Sequence, residues 1–335
     1  SDNKLLAKWQ GPYKVLSRVT PVTYKIVLSQ GRRKTQIFHI NLLKKWIDPG
    51  EGGGASAYML TTSRPLEIEF APGGQRKEVN QVKLGQEIST TQGNQVRKLL
   101  EQFDALFTGK PGKTHLVQHD ISTEPGKVVR LRPYRIPEAR RVVVEKEVRD
   151  MLEADIIEPS NSPWCSPVVL VPKPNRSLRF CIDFRQLNSV SKFDTYPMPR
   201  VDELIEGLGR ARFLTTLDLT KGYWQIPLAE SAREKTALAT SSGLYHFKVL
   251  PFGLHGAPAT FQRLMDYVLR PHLAYAAAYL DDIVIFSPSW EEHLAHMANV
   301  FQAITEAGLT INPEKCLVAA RSIHYLGYTI MEGLI

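Results

Sequence analysis

The chain has only three cysteines, Cys165, Cys181 and Cys316, far apart and in no CxxC spacing. That excludes a disulfide framework and offers no thiolate zinc site, so reduced thiols in an intracellular setting are the expectation. It also lacks any apolar run near the ~20 residues of a membrane span. At the amino end Lys4 and Lys8 flank only Leu5, Leu6 and Ala7, too short an apolar region for a signal peptide. No membrane partner is expected.

Net charge is missing from most of the chain. The formal balance is +8, yet residues 1–49 carry ten Lys/Arg against two Asp/Glu, leaving 32 of each sign in residues 50–335. A short basic block suits a polyanion such as nucleic acid or chromatin, although a solvated basic face needs no partner. The neutral remainder would have to meet a polyanion through local patches.

At 335 residues and 43% hydrophobic composition, the chain can bury a substantial core in two or three domains. Residues 8–49 alternate short apolar runs, such as Tyr24–Leu28, with turn signals at Gly11-Pro12, Pro21 and Gly31, which predicts a small all-β barrel over 1–49. The run Pro49-Gly50-Glu51-Gly52-Gly53-Gly54 opens a linker, read as extending over 50–93. From Gln95 the pattern turns helical, with Val96, Leu99, Leu100, Phe103, Leu106 and Phe107 on one face. A second helix is predicted within 137–158, with Val142 to Ile157 as its amphipathic span, opened by Pro137 and closed before Pro159. Residues 127–149 hold eight Lys/Arg, among them Arg130, Arg132, Arg135 and Arg141, and three Glu. They fit either a template-strand contact or a solvated helix face.

Chemistry enters where apolar strands end in carboxylates. Phe213–Leu217 runs into Asp218, and Ala276–Leu280 runs into Asp281-Asp282, followed by Ile283–Phe286. The second pattern predicts a hairpin with two acids at its tip. Like charges held between hydrophobic strands are costly unless a cation neutralises them, and oxygen-only ligands suit Mg²⁺. Asp is also an ordinary turn residue, so the pair taken alone decides nothing.

It does not stand alone. YLDD at 279–282, LDLTKGYWQIPL at 217–228, LPFGLHGAPATFQ at 250–262 and RFCIDFRQLN at 179–188 resemble, in order and spacing, the boxes of gypsy-type LTR retrotransposon reverse transcriptases. The resemblance continues through SPWCSPVVLVPK at 162–173, GLTINPEKC at 308–316 and YLGY at 325–328. Upstream, KWQGPYKV at 8–15, YKIVL at 24–28 and FHINLLKKW at 38–46 resemble the GPY/F module that closes many gypsy-type integrases. The fold class this implies is α+β: fingers and palm of a right-hand polymerase over 94–335, the palm a βαββαβ layer, preceded by a small Src-homology-3-like barrel. Against that family, the thumb and RNase H would lie outside the sequence.

The resemblance also implies roles. Asp218, Asp281 and Asp282 would be the catalytic and metal-ligating acids, holding two Mg²⁺ ions with Mn²⁺ a possible substitute. Lys173 and Arg179 would hold the nucleotide's phosphates, with Arg176 a rival to Lys173. Tyr223 would be the aromatic gate against a ribose 2′-hydroxyl, and Phe252 and Gly253 would lie near the nucleotide. Implied partners are an RNA or DNA template with its primer, deoxynucleoside triphosphates, and DNA or chromatin for the amino-terminal module. The implied compartments are a cytoplasmic particle and the nucleus. Asp183, Arg185 and Asn188 are expected to join fingers to palm, and His255 stands where the family leads one to expect asparagine. His293 and His296, at i and i+3, could ligate metal but read as solvated helix residues. A competing function is that of a catalytically inert nucleic-acid- or chromatin-binding remnant of such an element.

Overall fold

The computed structural model describes residues 79–172, 178–209 and 211–331, together with the backbone of five strands nearer the amino end. The chain divides into two units, Ser1–Leu66 and Glu67–Ile335. In the first, β1 (Gln10–Thr20), β2 (Thr23–Val27), β3 (Thr35–His39), β4 (Leu43–Trp46) and β5 (Ala57–Leu60) form one antiparallel sheet in the order β3-β2-β1-β5-β4. Register breaks in β1 after Val15 and after Arg18 bend this long strand, as bulges do. The sheet takes in Ala57–Leu60, a stretch read from sequence as linker, because this run pairs with both β1 and β4 and closes edges that would otherwise stay open.

The second unit runs β6 (Lys83–Leu84), α1 (Thr90–Gln102), α2 (Glu138–Glu153), β7 (Ile157–Pro159), β8 (Ser166–Pro172), β9 (Leu178–Ile182), α3 (Arg185–Val190), α4 (Val201–Glu206), β10 (Phe213–Asp218), α5 (Glu230–Arg233), β11 (Leu238–Thr240), β12 (Gly243–Phe247), α6 (Ala257–Leu269), β13 (Ala276–Tyr279), β14 (Asp282–Ser287), α7 (Trp290–Glu306), β15 (Leu317–Ala320), β16 (Ser322–Tyr325) and β17 (Tyr328–Met331). It too begins inside the stretch read as linker. Leu84 pairs with Val318, Val82 is buried, and α1 starts five residues before Gln95. The reason is a capping box: the Gln92 amide donates to Ser89 Oγ (3.2 Å) while the Ser89 amide donates to Gln92 Oε1 (2.9 Å).

The predicted second helix is shorter than expected. α2 starts after Pro137 but stops at Glu153, because Asp155 takes a left-handed φ of 58° and turns the chain so that Ile157 enters β7. Val144, Val148 and Met151 form its buried stripe, whereas Val142 is 70% exposed.

Two five-stranded sheets carry the unit, ordered β13-β14-β10-β15-β6 and β7-β12-β11-β8-β9. In the first, β10, α6, β13, β14, α7 and β15 follow one another as a βαββαβ succession once the excursion through the second sheet is set aside. Side chains alternate along β10. Phe213 and Leu217 join the larger core with Phe261, Met265, Val300 and Phe301 from α6 and α7, while Leu214 joins Val284, Ile323 and Ile330 on the opposite face. All three cysteines are free.

Candidate active site

The first sheet brings Asp218 and the hairpin acids together at one end. β10 and β14 are antiparallel and in register, so Phe213 faces Ser287 and, five residues on, Asp218 faces Asp282. Tyr279 faces Asp282 across the hairpin, which leaves Leu280 and Asp281 as its tip. Leu280 holds φ at 55°, a left-handed conformation costing an L-residue about 1 kcal/mol or more. Buried Gln262 of α6 holds this turn. Its Oε1 accepts from the Leu280 amide at 2.8 Å and its Nε2 donates to the Ala278 carbonyl at 3.1 Å. The Leu219 amide donates to the Asp281 carbonyl at 3.2 Å, and the Tyr325 hydroxyl to the Asp282 carbonyl at 3.2 Å.

After Asp218 the chain turns sharply at Lys221 (φ 53°) into the 3₁₀ turn Gly222–Gln225. A Cβ at Gly222 would lie 3.2 Å from Asp281 Cβ and 3.3 Å from Phe261 Cζ, so glycine lets this turn close on the acid. Tyr223 is 5% exposed, its ring 5.1 Å from that of Phe252 and 5.5 Å from that of Phe261. Phe252 leads into Gly253 (φ +98°), whose carbonyl accepts from Asn188 Nδ2 at 2.8 Å. The His255 amide donates to Asn188 Oδ1 at 3.0 Å, so Asn188 ties α3 to the loop before α6. Arg179, buried on β9 of the other sheet, faces Val171. Lys173 and Arg176 lie outside the described residues.

Electrostatically the acids are uncomfortable. Burial pushes the Asp218 and Asp281 carboxyls above the ordinary carboxylate range, and the negative charge of Asp281 adds to the rise at Asp218. Crowding by protein atoms, then the fields of Asp281 and Asp218, push Asp282 up to about 6. Lys315 opposes this at all three, and its Nζ lies 3.2 Å from Asp218 Oδ2. Among the described residues no three carboxylate, imidazole or thiol groups close around a point as a finished cation cage. What the tip offers is a row of hard oxygen donors whose mutual repulsion a divalent cation would relieve, which is the donor chemistry of Mg²⁺.

Three comparisons with known proteins bear on this geometry. The family described as "Reverse transcriptase (RNA-dependent DNA polymerase)" matches residues 171–330, which contain all three acids. That match covers just under half of the chain. Residues 11–45 match "Integrase p58, C-terminal domain". The Pol polyproteins of transposons 297 and gypsy of Drosophila melanogaster are 39% identical over 223 residues and 41% identical over 196. They match 65% and 56% of this chain but only 21% and 19% of their own lengths. The enzymatic polyprotein of Cauliflower mosaic virus (strain Strasbourg) is 30% identical over 275 residues, 80% of this chain and 40% of the viral protein. The chain spans about a fifth of the length of those Drosophila relatives. The foamy viral protease-reverse transcriptase, solved in complex with an RNA/DNA hybrid, superposes with a TM-score of 0.69 at 20% identity, over 95% of this chain and 44% of that one. A double-stranded DNA complex of the same viral enzyme gives 0.67 at 22% identity, over 81% and 50%. The shared fold is mixed α+β.

Within residues 171–330, two histidines depart from the sequence reading. His293 is fully buried rather than solvated, its ring nitrogens 2.9 Å from Thr215 Oγ1 and 2.9 Å from Ser287 Oγ. His296 Nδ1 lies 2.8 Å from the same Ser287 hydroxyl, and its ring stacks on Tyr275 at 3.7 Å. The helical spacing was legible, but which face α7 turns to the sheet was not. Sequence reasoning also passed over Gln262, Gly222 and Lys315. All three lie inside quoted stretches and could have been singled out. What no local pattern shows is that Lys315 meets Asp218, 97 residues away.

Proposed function

We propose that residues 79–331 are the fingers and palm of an RNA- or DNA-templated DNA polymerase, a reverse transcriptase, with β10 and the β13–β14 hairpin as the catalytic centre. The observation that carries this reading is the register that sets Asp218 against Asp282 with Asp281 at the adjoining tip. Two bound Mg²⁺ ions would supply charge neutralisation at the attacking and leaving oxygens of an in-line phosphoryl transfer. Asp218 and Asp281 would be their principal ligands and Asp282 a neighbouring donor. Gln262, Leu219 and Tyr325 fix the backbone from which these carboxylates project. The ring of Tyr223, immobilised between Phe252 and Phe261, supplies a rigid surface that an extra sugar hydroxyl would strike. Arg179 and Lys173 are the candidates for the triphosphate, where a forked guanidinium and a point charge suit phosphate oxygens. Phe252 and Gly253 would line the nucleotide site. For the amino-terminal unit, an Src-homology-3-like module contacting DNA or chromatin is the reading that its basic charge and integrase-type match support. The test is primer extension on poly(rA)/oligo(dT) with and without Mg²⁺. Metal-dependent extension that Asp281→Asn abolishes supports the polymerase; binding without extension in either condition supports the inert remnant.

A further inference from the structure

Asp218 lies between unlike neighbours. On one side β14 sets Asp282 against it; on the other, β15 is preceded by the 3₁₀ turn Pro313–Lys315, which brings an ammonium to its carboxylate. That turn is tied in place. The Asn312 amide donates to the Asp218 carbonyl at 2.8 Å, the Lys315 amide to the Asn312 carbonyl at 3.2 Å, and Cys316 Sγ to that same carbonyl at 3.1 Å. Pro313 opens the turn and restricts its backbone. The Asp218 side chain is 17% exposed and that of Lys315 58% exposed, so the ammonium approaches from the solvent side of a carboxylate that is otherwise enclosed.

We infer that Lys315 is a built-in counter-ion of the acidic tip, occupying Asp218 Oδ2 in the metal-free protein and yielding that oxygen when a divalent cation binds. The inference rests on Asp218 being a metal ligand. Lys315 is the cation whose field reaches all three acids, and it bonds directly to one. Without it the tip would gather three negative charges with no compensating group from the turn before β15. The same contact opposes a metal, because a carboxylate oxygen held by an ammonium is less available as a ligand and a nearby positive charge repels a dication. Lys315 therefore acts as a positioning residue that sets how much metal the site needs. Its long, solvent-reaching stem lets the head group leave without disturbing the core.

The test compares the whole chain with its Lys315→Met and Lys315→Arg variants. Thermal unfolding is followed in EDTA and through a MgCl₂ titration at pH 8. Lys315→Met is expected to melt lower than the parent in EDTA and to reach its half-maximal Mg²⁺ shift at roughly 5- to 10-fold lower metal. Lys315→Arg, which keeps the charge, should follow the parent in both. In an Asp218→Asn background the Lys315→Met change should no longer move the Mg²⁺ midpoint. A midpoint unchanged in Lys315→Met would overturn the inference and leave Lys315 an ordinary surface cation. A midpoint raised in Lys315→Met would overturn it the other way, making the lysine an organiser of the metal site. Absence of any Mg²⁺ shift in the parent would sink this inference together with the polymerase reading, whereas a parental shift that Lys315→Met leaves in place sinks this inference alone.

Discussion

His293 sits fully buried between α7 and the sheet that carries the acids, and burial pushes its imidazole down to about 3, with His296 adding to the effect. An unfolded histidine titrates near 6.5. Between those values the unfolded chain binds a proton that the folded chain refuses, so stability rises with pH across the window. The contribution is complete above about pH 6.5 and is lost as pH falls toward 3. At pH 5 the loss relative to pH 7 is about 2 kcal/mol, at 1.36 kcal/mol per pH unit, a large part of a domain's 5–15 kcal/mol. Other groups titrate in the same range. His119, lowered to about 4 by burial, adds to the loss, while Asp282, raised to about 6, works the other way because the folded state holds its proton more tightly. A single pH profile is therefore ambiguous, but a difference between two proteins is not. His293→Gln keeps a polar group beside Thr215 and Ser287, does not titrate, and should cost roughly 1–3 kcal/mol at pH 7 through imperfect hydrogen bonds. Urea unfolding of parent and variant at pH 7 and pH 5 should then show the parent losing about 2 kcal/mol more on acidification. Equal losses, within about 0.5 kcal/mol, would show that His293 accepts a proton in the folded state and that the buried network has been misread.

Asp218→Asn or Asp281→Asn should cut primer extension by about 1000-fold or more, the loss of several kcal/mol of metal-mediated stabilisation, with the circular dichroism spectrum unchanged. Gly222→Ala should place a methyl against Asp281 and Phe261, lowering stability by about 1–3 kcal/mol and extension by up to ~100-fold through a displaced acid; parental extension rates would remove Gly222 from the site. Tyr223→Ala should raise the ratio of ribonucleotide to deoxyribonucleotide incorporation in single-nucleotide assays, and because the ring is buried it should also cost about 3–5 kcal/mol in urea melts. The amino-terminal block should supply salt-dependent duplex binding through counterion release. A chain lacking residues 1–66 is expected to show a shallower dependence of affinity on salt in filter-binding titrations than the whole chain.

Much of the candidate site could be read from the linear sequence, because its elements are local patterns. Short apolar runs ending in Asp218, and again in Asp281-Asp282, specify strands that stop at carboxylates, and strand pairing in a fixed register allows the two tips to face each other. Folding settled everything that depends on which surfaces meet. The start of the second unit near β6 depends on a parallel pairing of Leu84 with Val318, more than two hundred residues away. The early stop of α2 reflects Asp155 and the demand of β12 for β7 as a partner, Phe247 against Ile157, which overrode a helical pattern running to Ile157. His293 and His296 look like exposed helix residues until α7 turns that face onto Thr215 and Ser287. Lys315 reaches Asp218 because β15 lies on the far side of β10 from the acidic hairpin. Sequence pattern specifies what each segment can bury and where it must end, but a charge finds its partner only once the sheet order has placed the strands.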